Sequence, residues 1–374
     1  MAAINRVYFA TQAVNLKPQN SDGTSTFSTF YSPKGVQSVG MTTNFNLEQL
    51  FQLGQLEVYD QPEQTPDVEV TVSKLMDGTP PLYLMSMGGS DGITGAVGKT
   101  LANLGNNRVN FRLGIFADDH SNATGAPDHY VDCSGMYLSS FTYTFPVDGT
   151  ATEDITLVGN NKLWGSGVTG APGSAQNDFG FTGSGSPVTP IRRFNIDFTE
   201  TVLPTGDGGI RVPRDASGPG GFRDPKRPYV QTITVSSDLG REQINEFGAF
   251  APYHRYINFP VEVTSDYEVV ASDGDHIEAN DFASVAGSCG TTYTNVSNKP
   301  ARITVCTTGS AKCQLDLGNK NKLLSVNYTG GDATGGNATI TYSFRNFNDF
   351  VMNASGSWVD AGFVDATDDA DLED

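Results

Sequence analysis

Side chains able to do chemistry gather most densely in "ADDHSNATGAPDHYVDCSG", which starts at Ala117 and holds Asp118, Asp119, His120, Asp128, His129, Asp132 and Cys133. Imidazole and carboxylate are ordinary ligands of a divalent ion. Asp, Asn and Gly also make turns, and the segment reads as an exposed polar loop, so no metal is expected. "SDGDH" at Ser272 opens like a calcium loop but lacks its later acidic positions. "GITGAVGKT" at Gly92 places five residues between its first glycine and Gly98. A phosphate loop needs four there, so this is read as a glycine-rich loop. The four cysteines, Cys133, Cys289, Cys306 and Cys313, form no CxxC pair. Free buried thiols are expected, with a Cys289–Cys306 or Cys306–Cys313 bridge as the alternative. There are four histidines, and none stands with Ser or Cys in a recognisable nucleophilic arrangement. Acids are plentiful enough to supply a glycosidase pair, but the separation of such a pair is set in three dimensions, and a solvated acidic surface is expected instead. Trp164, Trp358 and the 14 tyrosines suit a sugar platform or a β-sheet core. A non-enzymatic protein without cofactors is the expectation.

The elements that position these residues come from the chain as a whole. Its 374 residues suffice for two domains, and 37% hydrophobic content excludes a disordered chain. A formal charge of -19 should repel nucleic acid and anionic membrane. The N-terminal segment lacks the apolar run of a signal peptide, and no window approaches the roughly 18 apolar residues of a membrane span. A soluble product of a cytoplasm is expected.

One stretch occurs twice. "VQSVGMTTNFNLEQLFQLGQLEVY" from Val36 aligns without a gap with "VQTITVSSDLGREQINEFGAFAPY" from Val230. Identical residues include Gln37/Gln231, Glu48/Glu242, Gly54/Gly248 and Tyr59/Tyr253. Farther on, "TPDVEVTV" resembles "FPVEVTSD", and "LSSFTYT" at Leu138 resembles "LLSVNYT" at Leu323. The matches keep one order, which indicates two copies of one domain. Copy 1 spans 1–164 and copy 2 spans 191–355. Fourteen of the 26 residues from Gly165 to Pro190 are Gly, Ser or Pro, the composition of a connector over 165–190. Residues 356–374 form an acidic tail.

Within each copy the pattern is mostly strand. "VEVTVSKL" alternates Val68, Val70 and Val72 with Glu69, Thr71 and Ser73, giving one buried and one wet face. The exception is the repeated stretch. Asn44 and Asp238 suit helix N-caps, and Gly54 and Gly248 suit C-terminal stops. The spacing predicts one short helix in each copy, its apolar side resting on a sheet. The expected fold is mainly β: two tandem sandwich or barrel domains, each with one short flanking helix and a long loop.

This order of strand "VQSVGMTTNF", helix "NLEQLFQLG", strand "LEVYDQ" and alternating "PDVEVTVSK", with "SSFTYTFPVDGTATEDITLVGNNKLW" as a closing hairpin, resembles the tail tube proteins of long-tailed bacteriophages. It is similar, too, to the tube protein of type VI secretion. The resemblance implies sheets that join neighbour to neighbour into a ring, and rings that stack around a channel for DNA. Two copies per chain then imply three chains per pseudo-sixfold ring. The implied partners are further copies of the chain, the tape measure, the tail terminator, and baseplate or tail-tip proteins. DNA would cross the lumen without specific binding, and there would be no membrane insertion. The implied location is the virion tail, assembled in the host cytoplasm.

On that reading Glu69, Thr71, Ser73, Glu262 and Thr264 are expected to line the lumen, where acidity would keep DNA sliding. The long segment before the second matched strand carries Arg211, Arg214, Arg223, Lys226 and Arg227 and is expected to stack one ring on the next. The alternative is a β-sandwich module for virion decoration or host attachment that binds glycans.

Overall fold

The computed structural model describes residues 6–22, 30–117, 127–166, 190–197, 229–271, 299–307, 311–331, 336–359 and 363–364. Its first half contains β1 (Gln12–Gln19), β2 (Phe30–Tyr31), β3 (Val36–Asn44), β4 (Leu50–Phe51), β5 (Val58–Asp60) and β6 (Asp67–Leu75). Three short helices follow, α1 (Leu82–Met87), α2 (Ile93–Ala96) and α3 (Leu101–Leu104), and then β7 (Arg108–Ile115), β8 (His129–Pro146), β9 (Thr152–Gly159) and β10 (Leu163–Ser166). Its second half contains β11 (Ile196–Asp197), β12 (Tyr229–Asp238), β13 (Arg241–Ile244), β14 (His254–Ile257), β15 (Glu262–Val270) and β16 (Arg302–Cys306). β17 (Lys312–Asp316), β18 (Lys322–Thr329), β19 (Thr339–Phe347), β20 (Val351–Ala354) and β21 (Phe363–Val364) complete it. The protein is mainly β, with antiparallel sheets.

Neighbouring strands in the largest sheet run β3-β6-β9-β8-β12-β15-β19-β18. The order β3-β6-β9-β8 in the first half is matched by β12-β15-β19-β18 in the second, and β8 pairs directly with β12. A second set runs β1-β7-β8-β10, matched by β11-β16-β17-β20. β8 serves both sets because it is 18 residues long. Its counterpart is divided between β17 and β18.

The correspondence extends to irregularities. β3 bulges between Val36 and Ser38, and β12 between Val230 and Thr232. β8 bulges between Leu138 and Ser140, and β18 between Leu323 and Ser325. Arg112 pairs with Asp132 across β7 and β8 at 2.6 Å, and Arg302 with Asp316 across β16 and β17 at 3.0 Å. A bulge inserts one unpaired residue and turns the strand locally, so shared bulges fix a shared register.

The two expected helices are absent. β4 and β5, and likewise β13 and β14, form two-stranded ribbons instead. Asn44 accepts a hydrogen bond from the Asn46 amide at 3.2 Å, and Asp238 from the Gly240 amide at 2.9 Å. Gly54 and Gly248 have φ of 93° and 90° and serve turns. A side chain that caps a helix also closes an Asx turn, and a left-handed glycine ends a helix or turns a hairpin equally well. The apolar residues of these segments do not rest on a sheet either; Leu53 and Phe247 are fully exposed.

One apolar cluster spans both halves, from Val14 to Trp358. β6 contributes Val68, Val70 and Val72 as its alternation predicts. All six residues of α1 are buried. Its start is held by Glu153, which accepts from the Leu82 amide at 2.7 Å, the Tyr83 amide at 2.9 Å and the Tyr143 hydroxyl at 2.6 Å. Orphan amides at a helix start need such an acceptor when buried. Burial pushes the Glu153 carboxyl above its ordinary range, against the pull of Lys74 and these three donors.

Replacing Glu153 by Ala strands three buried donors and should cost about 3–5 kcal/mol in urea unfolding. The folded chain holds this proton to higher pH than the unfolded one. The associated stability is therefore full below about pH 4.3 and declines as pH rises through the raised folded value. Glu153→Gln, which cannot ionise, should lose less stability than the wild type over that rise.

Candidate assembly surface

Among the described residues the eight-stranded path ends on two open edges, β3 in the first half and β18 in the second. These are the counterparts of β12 and β8, the two strands that pair inside the chain. Unpaired edges invite a further strand. Neither edge carries proline.

Following direct partners from Ser38 leads through Ser73, Asp154 and Thr142 to Ser236. Ser38 corresponds to Thr232, so the second unit is displaced by four residues along the strand. At ~3.3 Å per residue along strands and ~4.8 Å between them, this stagger over four strands inclines them by about 35°. Closed barrels have inclinations of that size.

The face of this sheet turned away from the core is rich in hydroxyls and carboxylates. Glu69, Thr71 and Ser73 lie on it, the first two exposed. Glu262 and Thr264 lie on the same face in β15, half-buried, with Asp266 and Glu268 beyond them. Ser236 and Thr264 share a hydrogen bond of 2.8 Å. The side-chain pattern thus places the five residues on one continuous polar face. Ladder partners fix how these strands correspond: Val263 sits opposite Ser237 as Val68 sits opposite Thr43, so Glu69 corresponds to Thr264. A shift of two residues leaves every side chain on its own face.

The ribbons differ in their surroundings. β13 and β14 pack on the first half. Arg255 pairs with Asp67 and donates to Asn160 at 3.1 Å, while Arg241 donates to the Leu138 carbonyl at 2.8 Å. His254 stands against the Tyr137 ring, with centroids 5.0 Å apart. Burial lowers the Arg241 guanidinium to about 10. A cleft of about 850 Å³ opens beside this contact, lined by residues that include Arg108, Asn161 and Phe250. Among the described residues the ribbon of β4 and β5 has no such seat. Phe51, Leu53, Leu56 and Tyr59 are exposed on it.

Other candidates resolve more simply. Asp132 is engaged by Arg112, and the buried Cys133 thiol is pushed up to about 12 by desolvation. Among the described residues no three His, Cys, Asp or Glu side chains gather as a metal would require. Asp118, Asp119, His120 and "SDGDH" lie outside the described residues, as do Arg211, Arg214, Arg223, Lys226 and Arg227. Gly92 precedes α2, whose Ile93 and Ala96 enter the core, so this segment is built into the fold and is not a free loop. Cys133, Cys306 and Cys313 are free thiols, which removes the Cys306–Cys313 bridge. Cys289 lies outside the described residues. Among those residues no helix is long and apolar enough to cross a membrane. No protein-family model matches the chain, and no curated protein matches it significantly.

The ribbon's seat was not foreseen from sequence. Its signal is the pair His254-Arg255, which replaces Asp60-Gln61 in an otherwise repeated stretch. Arg255→Met should weaken the seat by about 1–3 kcal/mol, the scale of hydrogen bonds to a charged group. Amide exchange should then rise in residues 241–257 while β12 and β15 keep their protection.

Proposed function

We propose that this chain is the structural subunit of a phage tail tube, with three chains closing a pseudo-sixfold ring whose acidic inner wall lets DNA pass. The observation that carries this reading is the internal joint: β8 takes β12 at its edge, and the chain leaves free one counterpart of each. A head-to-tail contact that repeats a fixed rotation closes into a ring. It also consumes both open edges, which otherwise template aggregation. The four-residue stagger supports closure, since strands inclined by about 35° satisfy a barrel. Six units of four strands at that spacing and inclination would enclose a circle ~45 Å across at the backbone. The polar face of the eight-stranded sheet would then be the lumen wall. Its Glu69, Asp266 and Glu268 would repel phosphates, whereas a basic wall would grip DNA at many points.

The internal joint also sets the register between chains. Ser236 pairs with Thr142 inside the chain. Their counterparts are Thr42 and Asn327, so these two should face each other across the joint. Thr42→Cys combined with Asn327→Cys should cross-link chains under oxidation into covalent trimers, visible on a non-reducing gel. Thr42→Cys with Thr329→Cys, two residues out of register, should not. Electron microscopy should show rings with six similar lobes. Discrete monomers that bind glycans, or rings of six chains, would overturn the reading.

For the lumen, Glu69→Lys with Glu262→Lys should leave tubes assembled and slow DNA ejection. Unchanged ejection kinetics would remove these residues from the wall.

A further inference from the structure

The exposed ribbon of β4 and β5 has a counterpart whose seat is known, and that relation specifies what should cover it. Inside the chain the ribbon of β13 and β14 reaches over the β8–β12 joint and lands on the preceding unit. Its contacts fall on Tyr137, Leu138 and Asp67. Shared bulges and ladder partners give each contact a counterpart. Tyr137 faces Val158 as Lys322 faces Arg345, and Leu138 faces Leu157 as Leu323 faces Phe344. On the ribbons, His254 corresponds to Asp60, and Arg255 to Gln61.

Carrying the internal seat to the free ribbon places Asp60 of one chain against Lys322 of the next. These two residues have opposite charges, although neither charge occurs at the internal positions, where His254 meets Tyr137. Both are exposed in the single chain. Apolar surface is provided on both sides. The ribbon exposes Phe45 and Leu47, and the receiving strands expose Leu324 and Phe347. Among the described residues of the single chain, no element covers the ribbon as the first half covers β13 and β14.

We infer that the ribbon of residues 45–63 is an arm that clasps the second half of the neighbouring copy of this chain, with Asp60 paired to Lys322 across the joint. This rests on the ring reading above and adds a contact distinct from edge pairing. The arm would tie each joint at a second point, so that a hinge at the paired edges would meet resistance from its tip.

Reversing one charge makes a like pair and tests the contact more sharply than neutralising it, because exposed ion pairs contribute little alone. Asp60→Lys and Lys322→Asp should each raise the concentration at which half the protein is in rings by roughly tenfold, with less effect at high salt. The double reversal should return assembly to near the wild-type value. Asp60→Cys with Lys322→Cys should give covalent trimers under oxidation. If the wild type forms rings but the double reversal assembles no better than the single reversals, and the cysteine pair does not cross-link, the arm contact is wrong while the ring reading stands. If the wild type forms no rings in which Thr42→Cys and Asn327→Cys cross-link, the ring reading itself fails and takes the arm contact with it.

Discussion

Seven opposed residue pairs of an antiparallel ladder join Thr232–Asp238 of β12 to Ser140–Pro146 of β8, and the two halves of this protein are organised around them. Backbone groups impose no sequence of their own, so the halves could diverge in most side chains while keeping the joint. What they could not change is the register. The bulges near Gln37 and Gln231, and those at Ser139 and Leu324, each absorb one residue at matching positions. The two halves therefore keep matching registers within their own sheets.

β8 carries a second burden. Its first part pairs with β7 and β10, and its second part with β9 and β12. A strand shared by two sheets transmits any displacement between them, so the joint is coupled to the core through Phe141 and Tyr143. These rings lie with Tyr83 and Phe350 in one aromatic cluster. Phe350 comes from the second half, so the halves are tied by side-chain packing as well as by strands. Glu153 stands at the edge of this cluster and fixes α1 within it.

Much of the β framework was legible in the sequence because alternation is a direct trace of burial. Val68, Val70 and Val72 face the core as their spacing required. The strand residues and turn glycines of the repeated stretch fall on β3 and β12 and on the turns after them, where the two halves share a strand order. The helices were misread because Asn44, Gly54 and their counterparts carry information about turns without saying which turn. The offset between Glu69 and Glu262 was not legible for a related reason: in a run of alternating valines, identity cannot tell a register from one two residues away, and only ladder partners can. Glu153 left a trace that could have been used. It shares the inward face of β9 with Ile155 and Leu157, and an acid on an apolar stripe must have buried donors waiting.

In the proposed ring, having one internal joint already made would alter the statistics of closure. Association of free bodies costs an estimated ~4–15 kcal/mol in lost translational and rotational freedom. A closed ring built from three two-unit chains incurs that loss twice, where six single units would incur it five times. The connection between halves acts as a high local concentration of each for the other. Half of the joints in a ring would thus be present before any encounter, and intermediates with an odd number of units could not arise.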